Sequence, residues 1–173
     1  GASLGHDSVQ AGKMSLAIGL LAVVVFTALY YNLSGIFAVI ALIFNVLLIV
    51  GLLVSFNSAL TLPGMAGIIL TIGMAVDANI IIFERIREEV RGGKDPRAAV
   101  DSGYAKAFMT IVDANITTAL AGVILLNYTS GPIRGFAVTL LMGIVCSVFT
   151  AVYVCRRIFN WYLESRQPET LSI

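Results

Sequence analysis

Residues 14–83 contain a single charged side chain, that of Asp77, in an otherwise uncharged sequence. Residues 107–155 contain only two, Asp113 and Arg134. A helix of roughly 20 apolar residues crosses a hydrocarbon core about 30 Å thick, so each segment is long enough for at least two crossings. The chain is therefore predicted to be a polytopic helical membrane bundle of the all-α class.

The composition agrees with a membrane protein and argues against a soluble domain or a nucleic-acid-binding protein. Of the 173 residues, 58% are hydrophobic and 12% are charged, and the charged fraction of a soluble domain is about twice as high. The net charge of +1 comes with no basic cluster of the kind that binds nucleic acid. Cys146 and Cys155 lie about 13 Å apart along one predicted helix, which is too far for a disulfide.

Clusters of Gly, Asn and Ser divide the transmembrane domain, residues 13–160, into predicted spans. The five spans are residues 13–31, 35–56, 62–86, 108–127 and 133–156. Thr61 and Pro63 indicate the start of the third span, because proline is tolerated in the first turn of a helix. Residues 1–12 are polar and are predicted to end an extracytoplasmic domain, while residues 161–173 form a cytoplasmic tail.

Basic residues predict the orientation of the spans. Most of the 11 Lys and Arg residues fall between the third and fourth spans or after the fifth: Arg85, Arg87, Arg91, Lys94, Arg97, Lys106, Arg156, Arg157 and Arg166. Because cytoplasmic loops are rich in Lys and Arg, the N-terminus is predicted to be extracytoplasmic and the C-terminus cytoplasmic. Asp95 and Pro96 predict a cap and first turn for a cytoplasmic surface helix over about 95–106.

The pentapeptide VDANI occurs at residues 76–80 and again at residues 112–116. In the first copy, Asp77 precedes Glu84 by seven residues and so lies about 10 Å inside the membrane boundary. An ionised carboxylate at that depth costs at least about 2.5 kcal/mol, so Asp77 is expected either to be protonated or to face a polar seam between helices. The small residues of the same helix, Gly67, Thr71, Ala75 and Ala78, would allow a neighbouring helix to approach closely.

The polar residues of the second copy and its surroundings are candidate partners for Asp77. They are Asn115, Thr117 and Thr118. Asp77 is either a packing residue or a site that gains and loses a proton, and the second is favoured because a neutral side chain would pack at lower cost. For Asp113 both alternatives stay open, since a nearby helix N-terminus would stabilise a carboxylate there. Asn45, Asn79 and Asn115 are predicted to form hydrogen bonds between helices.

Three segments together carry a resemblance to a known family. They read LTLPGMAGIILTIGMAVDANIIIFERIREE, DANITTALAG and SGPIRGFAVTLLMGI. They resemble the membrane part of the SecD and SecF proteins of bacterial protein export, which belong to the RND superfamily of proton-driven membrane proteins. In the stretch that corresponds to the fourth span of the family, SecF proteins look different, so the SecD type is preferred. The resemblance covers nearly the whole chain.

The resemblance implies a half-unit of six spans, of which this chain would hold spans two to six, after a large extracytoplasmic domain. The proton-carrying acid of the family falls on Asp77, and a second motif places Asp113 and Asn115 in the next span. The outer-end motif falls on Gly131, Pro132 and Arg134. No cofactor or metal is implied, and protons are the coupling ion.

The implied function is a subunit without enzymatic activity that uses the proton-motive force to assist protein translocation across the bacterial inner membrane. The implied partners are SecF, the SecYEG translocon, YajC, membrane lipid, and the preprotein through the missing extracytoplasmic domain. Another RND-type transporter and a structural scaffold remain alternatives. An intramembrane aspartyl protease is disfavoured, because its Gly-x-Gly-Asp motif would need glycines where Met74 and Val76 stand.

Overall fold

A computed structural model describes residues 2–56, 60–171 and 173, with side chains from Gly5 onward. These residues form helices and no strand, which confirms the predicted all-α fold. The elements are α1 (Ala2–Ser55), α2 (Leu62–Arg91), α3 (Pro96–Tyr128), α4 (Pro132–Phe149), a π-helical turn (Thr150–Cys155) and α5 (Arg156–Arg166). Helices α1, α2, α3 and the continuous stretch Pro132–Arg166 are long and apolar enough to span a membrane.

Helix α1 contains the first two predicted spans and reverses direction at Asn32. The five predicted spans therefore fall on four long helices. Asn32 has a φ of +50°, a conformation that Asn adopts more readily than most residues. A side chain at Gly35 would overlap the carbonyl group of Thr27, although these residues would lie about 12 Å apart on one straight helix. The two parts of α1, residues 2–31 and 33–55, are therefore antiparallel.

Two helices begin where the sequence predicts. The Thr61 side chain accepts a hydrogen bond of 3.1 Å from the Gly64 amide at the start of α2. The Asp95 carboxylate accepts one of 3.3 Å from the Ala98 amide at the start of α3. Helix α3 then continues without interruption to Tyr128, so the predicted surface helix over 95–106 is its first part, and the position of that part against the membrane stays a prediction.

Small residues face each other where α2 packs against α4. A side chain at Gly67 would overlap Thr139, and one at Gly143 would overlap Thr71. Along α4 the facing residues recur every four positions, as Gly135, Thr139, Gly143 and Ser147. Small residues at this spacing let two membrane helices approach closely, which confirms that the small side of α2 receives a neighbour.

A buried polar contact joins three helices at the centre of the bundle. The Asn45 amide of α1 donates a hydrogen bond of 3.2 Å to the Ser147 hydroxyl of α4. That hydroxyl lies 2.6 Å from the Gly143 carbonyl and 3.4 Å from the Thr71 carbonyl of α2. The prediction that Asn45 bonds between helices is therefore confirmed.

The α2–α4 packing predicts different costs for two glycine substitutions. Gly143→Ala places a methyl group against Thr71 and should destabilise the protein by about 1–3 kcal/mol through overpacking. Gly73→Ala is the matched control, because a methyl group there meets nothing within 4 Å and alanine favours helix by up to about 1 kcal/mol. The free energy of unfolding, measured by SDS titration in mixed micelles, checks both, and equal stability of the two variants would contradict the packing.

Candidate functional site

Asp77 lies on the exposed face of α2, at a groove between α2 and α3. The groove contains a cavity of about 210 Å³. Its lining residues are Met74, Asp77, Ala78 and Ile81 from α2, with Ile111, Ala114, Asn115 and Thr118 from α3. The structure thus brings together three of the predicted site residues: the carboxylate of Asp77 and the polar side chains of Asn115 and Thr118.

The surroundings of Asp77 differ from the expected polar seam in one respect. Asp77 is exposed on the surface of the chain, whereas Thr71, Ala75 and Ala78 are buried. The reason is helix periodicity, because two residues of an α-helix separate Ala75 from Asp77 by about 200° around the axis. The small face of α2 packs against α4, so the carboxylate is turned to the opposite side.

The Asn residues of the two VDANI copies use their amide groups within their own helices, so the prediction of hydrogen bonds between helices is wrong for both. The Asn79 Nδ2 donates to the Ala75 carbonyl at 3.1 Å, and the Asn115 Nδ2 donates to the Ile111 carbonyl at 2.7 Å. Both Oδ1 atoms are buried and accept no hydrogen bond from the described residues. Asn115, one of the residues that line the Asp77 cavity, therefore has an unused acceptor, the kind of atom to which a protonated carboxyl group donates.

Asp113 does not join Asp77, although it stands in the same pentapeptide. It is exposed on α3 and is absent from the cavity that Asn115 lines, because two residues again separate opposite helix faces. Helix α3 begins at Pro96, which places Asp113 about 25 Å from its N-terminus. Since the effect of the helix dipole falls off within the first turn, that explanation for Asp113 is wrong.

The two predicted threonine partners also separate. Thr118 lines the Asp77 cavity, while Thr117 is exposed and outside it. Each hydroxyl donates a hydrogen bond of 3.2 Å to the backbone carbonyl four residues earlier, that of Asp113 for Thr117 and that of Ala114 for Thr118. Within the described parts of the chain, neither the Asp77 nor the Asp113 carboxylate forms an ion pair or a side-chain hydrogen bond.

The outer-end motif lies at the opposite end of α2 from the charged residues that follow its apolar part. Gly131 has a φ of +67°, which glycine adopts without strain, and Pro132 begins α4. The Pro132 carbonyl accepts a hydrogen bond of 3.2 Å from the Thr61 hydroxyl, so the motif joins the starts of α2 and α4. Arg134 is exposed there, about 24 Å along α2 from the level of Asp77.

A cluster of charges beyond the apolar part of α2 fixes α3 beside it. In the sequence these charges indicated only the orientation of the spans. Glu89, with 7% of its side chain exposed, forms ion pairs with Lys94 at 2.5 Å and with Lys106 of α3. The Lys94 ammonium also donates to the Ser102 hydroxyl at 2.8 Å. These contacts hold the end of α2 against the first turns of α3, and so set which face of α3 meets Asp77.

The Glu89 cluster predicts a pH-dependent contribution to stability. Hydrogen bonds from Lys106 and Lys94 lower the pKa of Glu89 below its ordinary value of 4.5. Its contribution is therefore complete above pH 4.5 and is lost as the pH falls through the lower pKa of the folded state. Glu89→Gln should reduce the free energy of unfolding at pH 7, and its difference from the unmodified protein should shrink below about pH 4.

The matched control is Glu88→Gln, since Glu88 is exposed and, among the described residues, pairs only with Arg85 one turn away. Such surface pairs contribute about 0–1 kcal/mol, so this variant should change little at any pH. Unfolding in mixed micelles, followed from pH 3 to pH 8, gives the two profiles. A constant deficit of Glu89→Gln across that range would exclude the titration of Glu89 as its cause.

Comparisons with known proteins agree with the fold and with the resemblance that the three sequence segments carry. The family model described as protein export membrane protein SecD/SecF, C-terminal, matches residues 1–165. The protein translocase subunits SecD of Syntrophobacter fumaroxidans and Desulfurispirillum indicum are 51% and 54% identical over 173 residues, which is all of this chain and 32% and 34% of theirs. The chain thus spans about a third of the length of these curated relatives.

A solved structure agrees closely with the helical arrangement. The crystal structure of SecDF, a translocon-associated membrane protein from Thermus thermophilus, superposes with a TM-score of 0.93 at 42% sequence identity. The match covers 98% of this chain and 24% of that chain.

Proposed function

Because the chain belongs to the SecD/SecF family of protein-export membrane proteins, we propose that it is the proton-coupled membrane part of a SecD-type subunit. In this proposal it uses the proton-motive force to assist protein translocation through the SecYEG channel of the bacterial inner membrane. SecF and YajC are its further partners, and the preprotein is bound by extracytoplasmic parts of the whole protein.

The observation that carries the proposal is the environment of Asp77. Its carboxylate lies within an apolar helix, has no ion-pair partner among the described residues, and opens into a cavity with Asn115 and Thr118. Ionisable residues inside membrane helices are costly and mark proton or substrate pathways. A cavity of about 210 Å³ has room for water, which would let a proton reach and leave the carboxylate.

Protonation of Asp77 would change the interface between α2 and α3. The neutral carboxyl group would donate a hydrogen bond to the unused Asn115 oxygen if a rotation of that side chain turned the buried oxygen towards it, whereas the ionised form needs water or a hydroxyl donor such as that of Thr118. A proton shifts a conformational equilibrium only if it stabilises one state more than the other, and these two sets of partners supply such a difference.

Helix α3 is the element that such a change would move. In the most apolar 18-residue stretch of α3, 17% of the residues are buried within the chain, whereas 56% are buried in the corresponding stretch of α2. The Glu89 cluster and the packing of Gly103 against the Ile86 backbone hold the start of α3, whereas near its other end Gly122 meets only leucine side chains of α4. Protonation would therefore bias the angle of α3 and, through it, the extracytoplasmic parts of the protein.

We also propose the orientation that the basic residues predict, with the C-terminus in the cytoplasm. The reversal at Asn32 lies on the same side as the Glu89 cluster, because the Tyr31 hydroxyl donates to the Glu84 carboxylate at 3.0 Å. Arg134 then lies at the extracytoplasmic end, exposed and available to an adjoining domain. Asp113 lies outside the cavity, and we assign it a secondary role in proton transfer.

Export measurements with Asp77→Asn test the proposal. Asparagine keeps the shape of the side chain but stays neutral, so assembly of the full-length protein with SecF should survive. Proton-gradient-driven completion of export into membrane vesicles should fall to the level seen without a gradient. Asp77→Glu, which retains an ionisable group, should keep part of the activity.

Asp113→Asn is the matched control, since it makes the same chemical change in the same pentapeptide outside the cavity. It should reduce export less than Asp77→Asn does. Normal assembly of Asp77→Asn with export at the unmodified rate under a gradient would make Asp77 a packing residue and refute the proposal.

A further inference from the structure

A second groove follows α3 on its other side, where it faces α4 and the π-helical turn. Its apolar part has a volume of about 360 Å³ and is lined by residues that include Ile116 and Ala119 of α3, with Val145 and Phe149 of α4. It continues past Tyr153, which lines both parts, into a cavity of about 380 Å³ that Arg156 and Arg157 line. We call the whole the α3–α4 groove.

The length of the apolar part matches one leaflet of a bilayer. From Ile144 to Tyr153 the helix rises about 14 Å, and half of a hydrocarbon core about 30 Å thick is about 15 Å. The uncharged sequence that starts after Arg134 ends at Arg156, and Arg157 follows it, one turn beyond Tyr153. The groove thus passes from acyl-chain depth to headgroup depth.

The basic end of the groove has one arginine that the protein does not neutralise. Arg156 donates to the Asp101 carboxylate at 3.0 Å, and its guanidinium lies 5.5 Å from the centre of the Tyr104 ring. Arg157 is exposed and has no acidic partner in the part of the chain that the structure describes. Asn160 lines the same cavity and adds an amide donor.

We propose that the α3–α4 groove binds one anionic phospholipid, with its phosphate at Arg157 and Asn160 and an acyl chain along the apolar part. Arginine binds phosphate through two parallel N–H donors, and basic pockets between membrane helices bind anionic headgroups. A second membrane helix would also cover the apolar part, but it would leave Arg157 without an anion. This inference does not depend on Asp77 or on proton coupling.

Trp161 supplies the measurement, because it is the only tryptophan of the 173 residues, is exposed, and follows Arg157 by one helical turn. The chain is reconstituted into phosphatidylcholine vesicles containing phosphatidylglycerol, with bromine on the acyl chains of one lipid or the other. Bromine quenches tryptophan on contact, so the two quenching curves give the relative binding constant of the lipids beside Trp161. We expect phosphatidylglycerol to be preferred by about fivefold, the contribution of one arginine near the membrane surface.

Two substitutions with matched controls assign that preference to the groove. Arg157→Gln should bring the ratio close to one and Arg157→Lys should keep most of it, while Arg91→Gln, which removes an exposed arginine outside the groove, should leave it unchanged. Ala119→Phe fills the apolar part and should reduce quenching by brominated phosphatidylglycerol. Ala121→Phe, on the exposed face of α3, should not.

Three results would overturn the proposal. Equal quenching by the two lipids in the unmodified chain would show no anionic site. Equal losses in Arg157→Gln and Arg91→Gln would reduce the effect to general surface charge. Absence of quenching by either lipid, together with a dimer in light scattering, would show that a second copy of the chain covers the groove.

Discussion

The close approach of α2 and α4 is the contact on which the rest of the structure depends. Gly67 and Gly143 leave room only for the threonines opposite them, and the backbones can approach because neither helix presents a large side chain there. This contact uses one face of α2 entirely. The orientation of α2 around its axis is thereby set, and Asp77 lies on the side of α2 that faces away from α4.

The same constraint explains why one pentapeptide gives two different sites. In α2 the Asn79 of VDANI is buried and Asp77 opens into a cavity, because α4 packs on one side and α3 on the other. Helix α3 is packed much less, so its Asp113 is exposed and outside the cavity. Asn115, which lines both the Asp77 cavity and the α3–α4 groove, lies between a polar site and an apolar one.

Features that depend on neighbouring residues in the chain could be predicted from the sequence. The caps at Thr61 and Asp95 follow from side chains that reach their own helix, and the small face of α2 follows from helical spacing. A buried amide needs a partner, and Asn45 finds one on another helix, whereas Asn79 and Asn115 find theirs within their own helices. These signals require no knowledge of which helix is the neighbour.

The failures share one cause, which is that the orientation of a helix around its axis is set by its neighbours. The sequence did not show that α4, rather than α3, takes the small face of α2, so the exposure of Asp77 was missed. The unbroken course of α3 through residues 95–106, which leaves Asp113 far from a helix end, has no local signal. The Glu89 cluster joins residues from two helices, and its charges could equally have been solvated.

The central claim, that Asp77 carries protons, is tested most directly by proton flux. The full-length protein with SecF is placed in liposomes that contain a pH-sensitive dye, and a pH gradient is imposed. We expect flux with the unmodified protein and with Asp113→Asn, and flux no faster than in protein-free liposomes with Asp77→Asn. Flux through Asp77→Asn at the unmodified rate would contradict the account.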